Sequence, residues 1–222
     1  MLSAELWSEV LCQGPVRRFR ERGVMLRQGD QGTHLLALTE GLAKVVSRDR
    51  DGVVTLLAFR GAGDLLGDVA VFEGSTRIAD VVALSPCSAV VLEATRFKAF
   101  VEERGLVVDL MRQAMARLRE SDLLRTELLT LPLVVRLART LVRLVELAGS
   151  VPGRPGASST AALQTLRLTG LTQVELAQAI GVTRNAVASG LGRLRAAGAV
   201  ETARREIVIR DLETLRLWAK TG

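Results

Sequence analysis

The chain has 222 residues, of which 48% are apolar and only 3% aromatic, and its net charge is +6. No apolar run approaches the roughly 18 residues that a membrane-spanning helix needs. The N-terminal segment carries acidic side chains where a signal peptide would be basic. We therefore expect a soluble, cytoplasmic protein of two domains that has no contact with a membrane.

The residues that bind soft metals are scarce: the chain contains two cysteines, Cys12 and Cys87, and one histidine, His34. These are too few for a zinc site or an iron–sulfur cluster. A hydrolytic triad would need His34 as its base, but His34 stands in an apolar segment with no serine or cysteine motif nearby. The sequence therefore predicts that the protein is not an enzyme and that His34 is an ordinary strand residue.

The positive charge is concentrated at one end of the chain. Residues 131–222 contain 13 basic and 6 acidic side chains, whereas residues 1–130 contain 17 basic and 18 acidic ones. A basic module joined to a near-neutral one suggests that the C-terminal part binds a polyanion and the N-terminal part has another role.

Short β-type runs separated by glycines fill residues 16–93, a pattern typical of a small β-barrel or sandwich. Two segments have the composition of hairpin turns, because glycine and the acid before it tolerate a positive φ. These turns are Thr39-Glu40-Gly41 and Arg50-Asp51-Gly52. The N-terminal domain is thus predicted to be a small β-barrel.

Helical patterns replace the strands after Thr95, first in a short helix and then in a long one over residues 106–131. One face of the long helix is marked at steps of three or four by Leu110, Ala114, Leu118, Ser121, Arg125 and Leu128. Such a face could pack on a second copy of the chain across a two-fold axis. The alternative is a helix that packs only on its own barrel.

Pro132 ends the long helix and is the candidate hinge between the domains, because proline lacks an N–H and clashes with the preceding turn. A second amphipathic helix follows and stops at Gly149. Residues 150–163 are rich in Pro, Gly and Ser, which predicts an exposed loop.

The most specific pattern lies in residues 171–199, LTQVELAQAIGVTRNAVASGLGRLRAAGA. Thr172 and Glu175 form a capping box that begins one helix, Gly181 ends it, and Thr183 caps a second helix. Two short helices joined by a glycine turn are a helix-turn-helix. The alternative for this block is a helical pair that serves a protein contact.

The outer face of the second helix has the side chains that a major groove accepts. Arg184 is suited to guanine and Asn185 to adenine. Ala188 and Gly192 are small and let the helix come close to the base edges, and Ser189 lies beside them.

Phosphate contacts are expected from residues at the helix N-termini and from a wing that follows the second helix. The candidates at the helices are Thr172, Gln173 and Thr183. The wing reads as two strands around Ala203, with Arg204 and Arg205 at its tip.

Three segments together resemble the CRP/FNR superfamily of bacterial transcription regulators, over nearly the whole chain. They are LRQGDQGTHLLALTEGLAKVV (residues 26–46), GAGDLLGDVAVFEGSTRIADVVAL (61–84) and LTQVELAQAIGVTRNAVASGLGRL (171–194). The resemblance implies an α+β chain with an N-terminal double-stranded β-roll of jelly-roll type, a long dimerisation helix and a C-terminal winged helix-turn-helix.

The second segment is similar to the phosphate-binding cassette of cyclic-nucleotide domains. The resemblance implies that Gly67 offers its backbone to the ligand, that Asp68 takes the place of the ribose-binding Glu, and that Arg77 pairs with the cyclic phosphate. The amides of Ile78 and Ala79 would complete the phosphate site. On the long helix, Ser121 and Asp122 match the polar pair that reaches the purine.

The sequence departs from the family pattern at several of these positions. Asp68 is shorter than Glu, Ile78 lacks the hydroxyl of Ser, and Asp122 places an acid near the purine. Losing two buried polar partners would weaken micromolar binding by about a hundredfold or more. In the recognition helix Asn185 and Ser189 stand where the family commonly has Glu and Arg, which predicts a changed operator with adenine opposite Asn185.

The resemblance divides the chain into a β-roll effector domain (residues 1–105), a dimerisation helix (106–131) and a winged helix-turn-helix domain (132–222). It implies a homodimeric, sequence-specific regulator that binds double-stranded DNA. A small ligand, such as cyclic AMP or another cyclic nucleotide, would control this binding. RNA polymerase is a further possible partner. The N-terminal cysteine cluster of oxygen sensors and the histidine of haem-binding relatives are missing, so neither an iron–sulfur cluster nor haem is expected. Two alternatives stay open: an orphan regulator without a nucleotide effector, and a ligand-binding or protein-interaction module without DNA contact.

Overall fold

A computed structural model of the protein describes residues 3–149, 166–203 and 206–220. They form two compact units, one up to Glu120 and one from Ser121 onward. Within these described ranges no helix is both long and apolar enough to span a bilayer.

The first unit contains three helices, eight strands and the start of a fourth helix. Their bounds are α1 (Ala4–Leu11), β1 (Val16–Phe19), β2 (Val24–Leu26), β3 (His34–Glu40), β4 (Ala43–Arg48), β5 (Val54–Arg60), β6 (Leu65–Leu66), α2 (Asp68–Glu73), β7 (Asp80–Ala83), β8 (Cys87–Glu93), α3 (Ala94–Glu103) and α4 (Val107–Thr130). The strands form two antiparallel four-stranded sheets, in the orders β1-β8-β3-β6 and β2-β7-β4-β5. The predicted β-roll is confirmed, and His34 is the first residue of a strand as expected.

The alternation of side chains along β3 separates two apolar cores. Leu36 and Leu38 point into the roll and pack with buried residues of the other sheet such as Val81. Leu35 points outward and packs with Trp7 of α1 and with α3. The sheet is thus buried on both faces, which is why β3 is almost continuously apolar.

The hairpin predicted at Thr39-Glu40-Gly41 is wrong, because this turn carries the chain from one sheet to the other. β3 pairs with β6 and β8, whereas β4 pairs with β5 and β7. Gly41 has a φ of +86°, and a Cβ there would overlap the Pro86 carbonyl and the Cys87 sulfur. The hairpin at Arg50-Asp51-Gly52 is confirmed, since β4 and β5 pair across it.

The two long helices have nearly the predicted bounds: α4 ends at Thr130, and α5 (Leu133–Gly149) begins just after Pro132. Glu127 of α4 holds α5 through Arg143 at 2.9 Å and Arg139 at 3.2 Å. Burial raises the pKa of Glu127, but hydrogen bonds and charge from Arg143 and Arg139 outweigh it and leave the pKa below its usual value.

The exposed apolar face of α4 shares only Leu118 with the predicted one. Leu110 packs against the core of its own unit. The exposed apolar stripe instead runs through Val108, Met111, Met115 and Leu118, at steps of three, four and three. A seam with this spacing has the period of coiled-coil contacts.

The second unit contains α5 and the elements that follow it. They are β9 (Leu166–Thr169), α6 (Gln173–Ala179), α7 (Arg184–Ala196), β10 (Val200–Ala203), β11 (Glu206–Ile209) and α8 (Leu212–Lys220). The strands form one antiparallel sheet in the order β10-β11-β9. The two predicted wing strands are confirmed, and β9 adds a third strand that the sequence analysis did not anticipate. The predicted loop at residues 150–163 lies outside the described residues.

Candidate functional sites

The cassette that contains Gly67 is a turn followed by a short helix. Gly67 has a φ of +81° and precedes α2, and Gly74 ends α2 in the left-handed region. A Cβ on Gly67 would overlap the Arg77 guanidinium and the Leu26 side chain. Glycine at this position therefore lets the Arg77 side chain lie directly against the backbone.

Arg77 is the buried cation of the cassette, with only 5% of its surface exposed. Its Nη2 donates to the His34 carbonyl oxygen at 2.6 Å, while its Nη1 is buried with no acceptor among the described residues. Burial lowers the pKa of Arg77, and the nearby Asp30 partly offsets this. A buried guanidinium N–H without an acceptor is costly, so an anionic oxygen beside Gly67 would be favoured.

Asp68 is engaged by an arginine that the sequence analysis did not identify. Arg117 of α4 donates to both Asp68 carboxylate oxygens, at 2.8 and 3.1 Å. The same guanidinium donates to the Leu65 carbonyl oxygen and lies 3.7 Å from Asp64. A ribose hydroxyl would therefore meet an Asp68 that already has a cationic partner.

Ile78 and Ala79 follow Arg77 with opposite exposure. The Ile78 side chain is 64% exposed, whereas Ala79 is buried. Ser121 is half-buried and Asp122 is exposed, 3.9 Å from Arg125 on the same helix. Both residues belong to the second unit, so their role toward the cassette stays a prediction.

Replacing Arg117 with Met should destabilise the first unit by about 1–3 kcal/mol, because the change leaves the Asp68 carboxylate and the Leu65 carbonyl without their charged donor. Urea unfolding followed by circular dichroism measures the difference. Arg119→Met, at an exposed position on the same helix, is the matched control. Equal stability of the two variants would contradict the assigned contact.

The helix-turn-helix forms with the predicted caps. The Thr172 hydroxyl accepts from the Glu175 amide at 3.2 Å, and Glu175 accepts from the Thr172 amide at 2.7 Å. Gly181 has a φ of +63°, and the Thr183 hydroxyl caps α7 by accepting from the Ala186 amide at 3.2 Å. The cap also uses the Thr172 hydroxyl proton, which is donated to Glu175 at 2.8 Å.

The inner and outer faces of α7 are those that the sequence predicted. Val187, Leu191 and Leu194 are buried. The predicted base-reading residues are exposed together on the other face: Arg184, Asn185, Ala188 and Ser189. A Cβ on Gly192 would meet open space. One side of the helix is therefore fixed by the core, and the other is free to enter a groove.

A cleft of about 260 Å³ brings three of the predicted DNA-binding residues together between the start of α6, the start of α7 and the wing. They are Thr172, Gln173 and Arg184. Glu206 also lines this cleft, but Arg167 of β9 neutralises it at 2.8 Å. Arg204 and Arg205, predicted at the wing tip, lie outside the described residues.

Comparison with known proteins matches both halves of the chain. The sequence profile of the cyclic nucleotide-binding domain matches residues 16–104, and that of the Crp-like helix-turn-helix domain matches residues 135–218. The chain belongs to the CRP/FNR family of transcription regulators.

The relatives within the CRP/FNR family are distant but extend over most of the chain. A CRP-like cAMP-activated global transcriptional regulator of Mycobacterium tuberculosis is 26% identical over 85% of this chain and 80% of the relative. A CRP-family regulator from Thermus thermophilus has a TM-score of 0.71 at 26% identity, covering 93% of this chain and 97% of that one. The fold is shared with the c-di-GMP responsive global regulator CLP of Xanthomonas campestris, at a TM-score of 0.65 and 22% identity, over 94% of this chain and 100% of that one. These relatives are named as regulators, and none of them is named as an enzyme.

Proposed function

We propose that the protein is a homodimeric, sequence-specific DNA-binding regulator, and that a small anion in the Gly67–Arg77 cassette controls it. The observation that carries the DNA-binding part is the exposed α7 face, where Arg184, Asn185, Ala188 and Ser189 stand free while the opposite face is buried. Arg and Asn at the start of a recognition helix are suited to guanine and adenine in the major groove. Such a regulator would work in the cytoplasm and could meet RNA polymerase there.

Binding to duplex DNA should fall steeply with salt, because the helix N-termini and basic side chains contact phosphates. A protein with about six to ten phosphate contacts loses about 10³- to 10⁵-fold in affinity between about 50 and 200 mM salt. Fluorescence anisotropy with a labelled duplex of mixed sequence measures this slope. An affinity that does not change with salt, or no binding at all, would favour a module without DNA contact.

The dimer is supported by the apolar stripe on α4. Val108, Met111, Met115 and Leu118 are all at least half exposed in a single chain. An exposed apolar row with coiled-coil spacing is stabilised when a second copy covers it. A two-fold dimer would then hold two recognition helices about 34 Å apart, one turn of B-DNA.

Control by an anion is supported by Arg77, whose buried Nη1 has no acceptor among the described residues. The names of the relatives suggest cyclic AMP and cyclic di-GMP as the first ligands to test. The ligand would act by binding the DNA-competent arrangement of the dimer more tightly than the other arrangement, because only differential affinity shifts a population.

Replacing Arg77 with Gln should abolish any stabilisation by a cyclic nucleotide. A ligand at about a hundred times its Kd stabilises a protein by about 2.7 kcal/mol, which a thermal-shift assay detects readily. Cyclic AMP, cyclic GMP and cyclic di-GMP at millimolar concentration are the ligands, and Arg18→Gln on the exposed part of β1 is the control. A shift that persists in Arg77→Gln would contradict the assigned role.

An orphan regulator is the second candidate, and the Asp68–Arg117 ion pair favours it. Asp68 already has a charged partner, and the exposed Ile78 offers no hydroxyl to a phosphate. If the unmodified protein shows no thermal shift with any of the three nucleotides, that result supports the orphan regulator.

A further inference from the structure

A cavity of about 420 Å³ in the first unit is lined by Arg77 of the cassette together with four charged or titratable side chains that the proposed control of DNA binding does not use. It lies between β1, β2, the turn after β2 and the start of β3. Its charged and titratable members are Arg17, Arg27, Asp30, His34 and Arg77. Of the cassette residues Gly67, Asp68, Arg77, Ile78 and Ala79, only Arg77 lines it.

The strand register shows why two of these side chains meet. Arg17 of β1 pairs with Ala89 of β8, and Ala89 pairs with Leu38 of β3. His34 lies four residues before Leu38, so Arg17 and His34 share the face of the sheet that points into the roll. Arg18, the next residue along β1, points to the other face and is absent from the cavity lining.

The cavity has a marked positive charge. Three guanidinium groups, from Arg17, Arg27 and Arg77, face a single carboxylate, from Asp30. Arg77 is buried and Arg27 lies at an exposed position, so the charge extends from the interior of the roll to its rim. An anion in the cavity would meet this excess of two positive charges.

His34 responds to the same charges. Burial lowers the pKa of its ring, Arg77 and Arg17 lower it further, and Asp30 raises it. The Glu93 carboxylate, on the strand position opposite His34, is held by the Thr95 and Arg96 amides at the start of α3. The Thr33 hydroxyl lies 3.2 Å from the ring Nδ1. An anion in the cavity would oppose the effect of Arg77 and Arg17 and so raise the pKa of the His34 ring.

We propose that this cavity is a second anion site, which binds the phosphate monoester of a small metabolite. A phosphate monoester carries nearly two negative charges at neutral pH, which matches the excess of positive charge. The phosphate of cyclic AMP is a diester with one negative charge and matches it less well. The volume lies within the usual range of pockets for small organic ligands and exceeds what bare phosphate fills. The site needs neither DNA nor a cyclic nucleotide.

The single histidine of the chain provides a direct probe. We would label the full-length protein with ¹³C,¹⁵N-histidine and titrate it near neutral pH with inorganic phosphate, and in parallel with ribose 5-phosphate, at constant ionic strength maintained with chloride. The expected result is a saturable shift of the His34 ring signals in the direction of protonation. Tighter binding of ribose 5-phosphate would identify a metabolite as the ligand, whereas equal binding would restrict the site to free phosphate and overturn the metabolite assignment.

Matched variants test whether the cavity is the binding site. Arg17→Gln and Arg27→Gln should each weaken binding by about tenfold or more, because each removes one charge-assisted donor. Arg18→Gln, which removes a neighbouring charge from the opposite face, should leave binding unchanged. A shift that follows ionic strength without saturating, or equal binding by all three variants, would overturn the proposal. Amide spectra of each variant establish that the fold is retained.

Discussion

Replacing Leu118 with Arg should convert the protein from a dimer to a monomer and lower its affinity for a two-fold-symmetric DNA site by about a hundredfold or more. Leu118 is 56% exposed at the end of the α4 stripe, so the charge would be placed in the proposed interface and not in the core of the chain. A dimer binds two half-sites at once, and linking two binding modules raises affinity by about 10²- to 10⁴-fold over one. Sedimentation velocity gives the oligomeric state, and fluorescence anisotropy gives the affinity.

Ala116→Arg is the control for this prediction. Ala116 is exposed on α4 but lies off the stripe, so the same charge is added to the same helix outside the proposed interface. This variant should remain dimeric. If Leu118→Arg also remains dimeric while keeping its fold, α4 is not the dimer seam.

Replacing Arg184 or Asn185 with Ala should relax sequence selectivity at one base pair of each half-site. A bidentate contact to guanine or adenine is worth about 1–3 kcal/mol of discrimination against the wrong base. Both side chains are exposed at the start of α7, so their removal should not disturb the core. Competition between duplexes that differ at single positions measures the loss, which we expect at guanine for Arg184→Ala and at adenine for Asn185→Ala.

Arg216→Ala is the charge-matched control for Arg184→Ala. Arg216 lies on α8 and pairs with Glu213 at 3.1 Å, away from the recognition face. The Arg216→Ala variant should change neither the selected base nor the discrimination against mismatches. Retention of full selectivity in both α7 variants would show that another surface reads the DNA.

The C-terminal site could be predicted from the sequence because the residues that shape it are close together in the chain. The Thr172 and Glu175 cap, the left-handed Gly181 and the Thr183 cap all depend on residues within a few positions of one another. The helix α8 has a comparable local cap, in which Asp211 accepts from the Thr214 amide at 3.0 Å. Short-range rules of this kind act before tertiary packing does.

Long-range pairing explains what the sequence did not reveal. The turn at Gly41 has the composition of a hairpin turn, but which sheet each strand joins depends on partners such as β8 and β7, far away in the chain. The Asp68–Arg117 pair likewise joins residues 49 positions apart. The sequence offers one local indication of this pair. Arg117 lies one helical turn before Ser121, a predicted ligand-binding residue, and therefore on the same face of α4.

Selection of bound duplexes from a random pool, with the full-length protein, tests the central claim most directly. A homodimeric regulator that reads DNA through α7 should enrich two-fold-symmetric sites whose half-sites are centred about one helical turn, roughly 10 base pairs, apart. An adenine should be fixed opposite Asn185 in each half-site. A pool that remains unenriched, or that yields only asymmetric single sites, would contradict the account.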